Sequence, residues 1–135
     1  MTRKKHPPKG PDNARMLTEV ELELMQAVWG LGEPTVKDVV DALPKERDLA
    51  YTTVATVMKI LEKKGFLTSR RGDRAHTYLP KITKADYETN SLNHMVSNLF
   101  EGEPSSLVMR LLDNSDLSQD ELKSIRKILN ERMRS

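Results

Sequence analysis

The residues of this chain best suited to chemistry lie between Tyr51 and Arg74, and what they suit is hydrogen bonding to a polyanion rather than bond-making. In the stretch AYTTVATVMKILEKKGF, residues 50–66, Thr52, Thr53 and Thr56 crowd the first two turns of what otherwise reads as a helix. Thr is a poor helix former because branching at Cβ restricts χ1 against the preceding turn, at a cost of roughly a few tenths of a kcal/mol per residue. Its hydroxyl is short and uncharged, donates and accepts hydrogen bonds, and sits beside a methyl that can meet a thymine methyl. At the N-terminal end of a groove-bound helix those properties outweigh the propensity loss. Long charged side chains there would hold the helix off the bases. Tyr51, Thr52, Thr53 and Thr56 therefore read as base and backbone contacts, with Lys59 and Lys63 as phosphate contacts further along. Arg70, Arg71 and Arg74 would reach adjacent phosphates or the minor groove. The N-terminal helix dipole and free N–H groups favour phosphate as well.

Other chemistries find little support. His6, His76 and His94 fall in a tail, a strand and a helix without ligand spacing, so no metal site is expected. There are no cysteines, which excludes disulfides, thiolate metal sites and a Cys nucleophile, and fits a reducing cytoplasm. Neither a Ser-His-Asp set nor a carboxylate pair can be argued, so the expectation is a non-enzyme without a cofactor. Trp29 reads as core filling, and Met95 and Met109 as interface packing.

The elements that must position the candidate residues follow from periodicity. The 135 residues, 31% charged and 37% hydrophobic, suit one domain or two small ones. Their net charge of +2 is unevenly spread, with residues 1–15 and 49–80 basic and residues 16–48 acidic. A local anionic partner is implied. No apolar run spans a membrane, and the basic start has no apolar segment behind it to make a secretory signal. Residues 1–15, with Pro7, Pro8, Gly10 and Pro11, read as a disordered basic tail. A first helix starts at a Thr18/Glu21 capping box, carries Val20, Leu24, Ala27 and Val28 inward, and stops at Gly30 and Gly32. Thr35 caps a second helix with Val36, Val39, Val40 and Leu43 inward and Pro44 at its end. The third helix, residues 50–64, sets Ala50, Val54, Val57 and Leu61, broadened by Ile60, against the Thr52, Thr56, Lys59 and Lys63 stripe, and Gly65 ends it. FLTSRR and AHTYLP then alternate like two short strands around Gly72-Asp73. That order is a winged helix-turn-helix, in which the later helix can enter a major groove.

Beyond Pro80 come three amphipathic helices. One has Thr83 and Asp86 at its start and Leu92, Met95, Val96, Leu99 and Phe100 on one face. A short second begins at Pro104 with Leu107, Val108, Leu111 and Leu112. The third begins at a Ser118/Glu121 box with Leu122, Ile125, Ile128 and Leu129. Three such helices bury their own faces poorly, and a second copy would cover them. The expected dimerisation residues are Leu92, Met95, Val96, Leu99, Leu107, Leu111, Leu122, Ile125 and Leu129.

The segments LTEVELELMQAVWGLGEPTVKDVVDAL, YTTVATVMKILEKKGFL and DRAHTYLP resemble the penicillinase-repressor family of BlaI/MecI type, and the likeness continues through DYETNSLNHMVSNLFEG and SLVMRLLDNSDLSQDEL. It covers nearly everything beyond the tail. The resemblance implies a winged-helix repressor, a homodimer through the C-terminal helices, and an inverted-repeat operator with TACA and TGTA elements. Thr53-Val54-Ala55-Thr56 matches the family's recognition-helix pattern. Three departures stand out: the basic tail is additional, the C-terminal cysteines of the family's copper-responsive cousins are missing, and Arg110-Leu111 stands where antibiotic-responsive members carry the Asn-Phe bond cut by a membrane sensor protease.

The expected architecture is therefore mainly α: a tail over 1–15, a winged helix-turn-helix of three helices and a small β wing over 16–80, and a three-helix dimerisation region over 81–135. The expected partners are double-stranded operator DNA, a second copy, and a sensor protease retuned to the bond at Arg110 and Leu111, a segment expected to be buried. A winged helix meeting an acidic protein is the alternative.

Overall fold

The computed structural model describes residues 16–114 and 116–134, so the expected tail lies outside the described residues. The first helix, α1 (Glu19–Leu31), opens with the capping box read from the sequence: the Thr18 hydroxyl accepts from the Glu21 N–H at 3.2 Å and the Glu21 carboxylate accepts from the Thr18 N–H at 3.0 Å. Only Gly32, at φ 95°, ends α1; Gly30 lies inside the helix, where the missing side chain costs propensity but not continuity. Thr35 and Asp38 repeat the box at the start of α2 (Val36–Ala42).

Helix α3 (Tyr51–Lys63) ends in a Schellman motif. The Phe66 N–H donates to the Leu61 carbonyl and the Gly65 N–H to that of Glu62, with Gly65 at φ 93°. Phe66 and Leu61 are both fully buried, so the helix end and the hairpin start share one anchor. Strands β1 (Leu67–Arg71) and β2 (His76–Pro80) pair antiparallel with Leu67 opposite Pro80 and Arg71 opposite His76. The Tyr78 N–H donates to the Pro34 carbonyl, which ties the hairpin to the α1–α2 connection. The core between these elements holds Leu24, Met25, Val28, Val39, Val54, Met58, Leu61, Phe66, Leu67 and Tyr78.

Two sequence expectations shift here. The inner stripe of α3 is Val54, Met58 and Leu61; Met58 takes the place given to Val57, Ala50 is the exposed N-cap, and Ile60 is 41% exposed on the outer side. The spacing i, i+4, i+7 selects the deepest line of the helix, and Ile60 sits too far around it. The first compact unit also extends beyond Pro80, and the division falls inside α4 (Lys84–Asn98), between His94 and Met95. Ile82 and Tyr87 belong to the first core: Trp29 Nε1 donates to the Ile82 carbonyl at 3.0 Å, and the Tyr87 hydroxyl accepts from the Leu17 N–H at 3.0 Å.

The second unit contains the end of α4, α5 (Pro104–Leu112) and α6 (Gln119–Arg134). Neither α5 nor α6 has a buried residue. Leu99, Ile128 and Met133 are 68%, 65% and 74% exposed, and Leu92, Met95, Leu111 and Leu129 are exposed too. Val96, Leu107, Leu122 and Ile125 are half-buried. The expected burial of the Leu107–Leu112 segment is therefore not met within one chain: Val108, Leu111 and Leu112 are exposed, because a single helix cannot cover its own apolar side and no other element buries this one.

Candidate nucleic-acid interface

Unlike α1 and α2, and like α5, helix α3 has neither a side-chain cap nor an acidic residue in its first turn. Its N-cap is Ala50, whose methyl side chain can accept nothing, so the N–H groups of the first turn have no side-chain partner from the cap. Tyr51 at this end is 55% exposed. Thr52, Thr53, Thr56, Lys59 and Lys63 are all exposed, with Thr52, Thr56, Lys59 and Lys63 at helical spacing along the side opposite Val54, Met58 and Leu61. The Thr56 hydroxyl donates back to the Thr52 carbonyl at 2.9 Å. This fixes its rotamer and leaves its lone pairs and methyl for an outside partner. Ile60, expected inward, instead joins this outer surface as an apolar residue.

Strand alternation sorts the wing. Leu67, Ser69 and Arg71 share a face with their cross-strand partners Pro80, Tyr78 and His76, and Arg70 shares the other with Thr77. Tyr78 is buried, and the Ser69 hydroxyl donates to Glu62 of α3 at 2.7 Å, so Arg71's face is the one that meets α3. His76 is exposed and stacks on Tyr78 at 5.8 Å between ring centroids. Arg74 lies exposed in the connecting loop, where the Gly72 N–H donates to the Ala75 carbonyl. A Cβ on Gly72 would stand 3.0 Å from that oxygen, which explains the glycine. Arg70 is not grouped with the others: its Nε lies 3.2 Å from Glu33, which also accepts from the Thr77 hydroxyl at 2.8 Å. Eight of the nine expected contacts thus lie on α3 or the free part of the wing, and Arg70 braces the hairpin.

Two carboxylates of α1 brace the rest: Glu21, read from the sequence only as a cap, and Glu23, which no sequence pattern singles out. Arg47, in the α2–α3 turn, has its Nε 2.9 Å from both carboxylate oxygens of Glu23. Lys64, just past α3, is 2.6 Å from Glu21. Burial pushes the Glu21 carboxyl up, but hydrogen bonds from Lys64 and Thr18, together with the Lys64 charge, outweigh it and hold the group below its ordinary range. Tyr78 is pushed up by burial first, then by the Glu62 charge and Tyr51. Among the described residues, no group of His, Asp and Glu is arranged to hold a metal ion. No helix in the described residues is long and apolar enough to cross a membrane.

A helix-turn-helix whose second member presents Thr and Lys outward, flanked by a basic hairpin, defines a DNA-binding winged-helix protein. The chain belongs to the penicillinase repressor family, whose sequence profile matches residues 17–131. It is 25% identical over 116 residues to the methicillin resistance regulatory protein MecI of Mammaliicoccus sciuri, spanning 86% of this chain and 94% of that protein. Over 115 residues it is 28% identical to the penicillinase repressor of Bacillus licheniformis, covering 85% and 90%. Over 65 residues, 47% of each chain, it is 48% identical to the transcriptional regulator BlaI of Mycobacterium tuberculosis. Among solved structures it is similar to the monomeric form of Bacillus licheniformis BlaI in complex with the blaP half-operator, with a TM-score of 0.47, 28% identity, and coverage of 55% of this chain and 90% of that one.

Proposed function

We propose that this chain is a transcriptional repressor that binds an inverted-repeat operator as a homodimer, with α3 in the major groove and Arg71 and Arg74 of the wing on neighbouring phosphates. The observation that carries the reading is the outward Thr/Lys stripe of α3, which starts at an N-terminus no side chain caps. Tyr51, Thr52, Thr53 and Thr56 meet bases and the adjoining backbone, and Lys59 and Lys63 neutralise phosphates. The exposed apolar sides of α5 and α6 support the homodimer. A 16-residue helix with no buried residue is marginal alone in water, and Ile128, Leu129 and Met133 would each contribute about 1.5–3 kcal/mol on burial against a second copy. A two-fold dimer also matches a two-fold operator.

The test selects a duplex from a random-sequence pool and titrates it beside a scrambled duplex of the same composition at several salt concentrations. A repressor shows a steep loss of affinity with salt and a large gap between the two duplexes. A chain that enriches no sequence, and instead binds an acidic protein, supports the interaction-module alternative.

Relief of repression follows the family pattern in outline: cleavage inside α5, at Arg110-Leu111, by a sensor protease whose pocket takes a cation and an aliphatic residue rather than Asn and Phe. Both residues are exposed in the single chain, and the helix must open locally before a protease can grip it. Mass spectrometry of induced host cells should find fragments ending at Arg110. Intact protein released from its operator removes this route.

A further inference from the structure

The start of α3 is where reading takes place, yet Ala50 gives it no cap and its first turn holds no carboxylate. What fixes it must come from outside the helix. We propose that Glu23 and Glu21 of α1 are positioning residues that clamp α3 at both ends, and that sequence discrimination depends on this clamp; the inference rests on α3 being the reading helix.

At the leading end, Arg47 sits at the centre of the turn. Its N–H donates to the Pro44 carbonyl at 2.9 Å, its carbonyl accepts from the Leu49 N–H at 2.6 Å, and its Nε meets both oxygens of Glu23. The backbone that feeds α3 is thus pinned to α1 through one charge-assisted contact. At the trailing end Lys64, the C-cap residue of α3, reaches back to Glu21, whose carboxylate also closes the capping box of α1. The Lys64–Glu21 pair is shielded, with Glu21 buried, whereas the Arg47–Glu23 pair keeps its guanidinium 40% exposed and depends more on its two-oxygen geometry. Beyond the core packing of Val54, Met58 and Leu61, two carboxylates of one helix therefore restrain both ends of another.

Geometry says what such a clamp controls. A helix of 13 residues is about 20 Å long, so a tilt of about 3° at one end displaces the other by about 1 Å. Hydrogen bonds from short Thr side chains to base edges tolerate only a few tenths of an ångström. Long, flexible Lys and Arg side chains follow their phosphates through such a shift. Losing the clamp should therefore damage discrimination while leaving non-specific binding in place.

Neutralising the carboxylates tests this, because electrostatics and positioning predict opposite signs. Glu23→Gln and Glu21→Gln each remove a negative charge, which by itself strengthens binding to any DNA. Glu21→Gln keeps a residue that can close the capping box, so the cap is spared and only the ion pair is lost. The measurement is the full chain's affinity for its selected duplex and for the scrambled duplex, at a temperature where circular dichroism shows each variant folded. The clamp predicts that selected-duplex affinity falls about tenfold while scrambled-duplex affinity holds or rises. It also predicts that Glu23→Gln with Arg47→Gln is no worse than either change alone, and that the exchanged pair Glu23→Arg with Arg47→Glu recovers discrimination. A merely structural role lowers both affinities by the same factor, and that result overturns the clamp. Variants that discriminate like the parent overturn it while leaving the DNA-reading assignment intact. A parent that does not discriminate overturns both.

Discussion

Thr56→Ala separates reading from folding because it moves them in opposite directions. In the folded chain the Thr56 side chain is exposed, and its hydroxyl donates back to the Thr52 carbonyl at 2.9 Å. That back-bond supports the helix little, since the Thr52 carbonyl is already engaged by its own helical partner and water replaces the hydroxyl. Replacing Thr by Ala in a helix interior gains about 0.5 kcal/mol of propensity. For a unit under about 100 residues that raises the melting temperature by about 2–4 °C. If Thr56 touches a base, the same change costs about 1–3 kcal/mol of operator affinity, or about 5- to 150-fold. Trp29 provides the stability readout: it is the single tryptophan and lies 5.9 Å from the Tyr87 ring in the first unit, so its fluorescence follows that unit's melting. A variant that melts higher and binds its selected duplex several-fold more weakly, with discrimination relaxed at one half-site position, is the expected result. Unchanged operator affinity would refute the reading role. A lower melting temperature would refute the premise that the back-bond is dispensable.

The wing, the interface, the core and the buried acid each give a further expectation. Arg71→Ala should weaken selected and scrambled duplexes alike and reduce the slope of log affinity against log salt by about one, whereas Arg70→Ala, whose guanidinium is held by Glu33, should leave the slope near the parent value. Sedimentation at micromolar concentration should find the full chain dimeric and Leu129→Asp shifted towards monomer; a monomeric parent rules the homodimer out. A fragment ending at His94 should keep the first core, while one ending at Pro80 loses Ile82 and Tyr87 and about 3–6 kcal/mol of burial, measurable as a lower denaturant midpoint. The Glu21 carboxyl titrates below its ordinary 4.5 in the folded chain, so its contribution is present above that pH and lost as pH falls through the lower folded value. Glu21→Gln should therefore be less stable than the parent at pH 7, and the gap in urea midpoint should narrow at pH 3.

Much of the first unit was legible because its signals are local. Thr18 with Glu21, and Thr35 by itself, announce helix starts locally; the structure closes the first box and adds Asp38 as the partner that makes a second. The Thr/Lys side of α3 and the hairpin around Gly72-Asp73 were legible for the same reason. What escaped depends on where a helix is rolled or on which partner arrives from afar. Met58 and Ile60 differ from Val57 only in angle around α3, and that angle is set by α1, α2 and the sheet. Arg70 and Arg71 are adjacent and chemically identical. Which one turns towards α3 is decided by the pairing of Arg71 with His76, a register that hydrophobic alternation did not specify in so polar a hairpin.

The braces are invisible in the sequence because they join residues far apart along the chain. Glu23 and Arg47 are 24 residues apart and Glu21 and Lys64 are 43 apart, and no periodicity links them. In a sequence they read as solvated charges, which is what most such residues are. Their pairing exists only once α1 is packed against α3, so it is a consequence of the core rather than a signal for it. Yet the outward stripe of α3, plainest in the sequence, can discriminate bases only if its supports hold it still. The residues that name the function and the residues that make it accurate are thus written in different ways, the first as a local pattern and the second as contacts that appear only on folding.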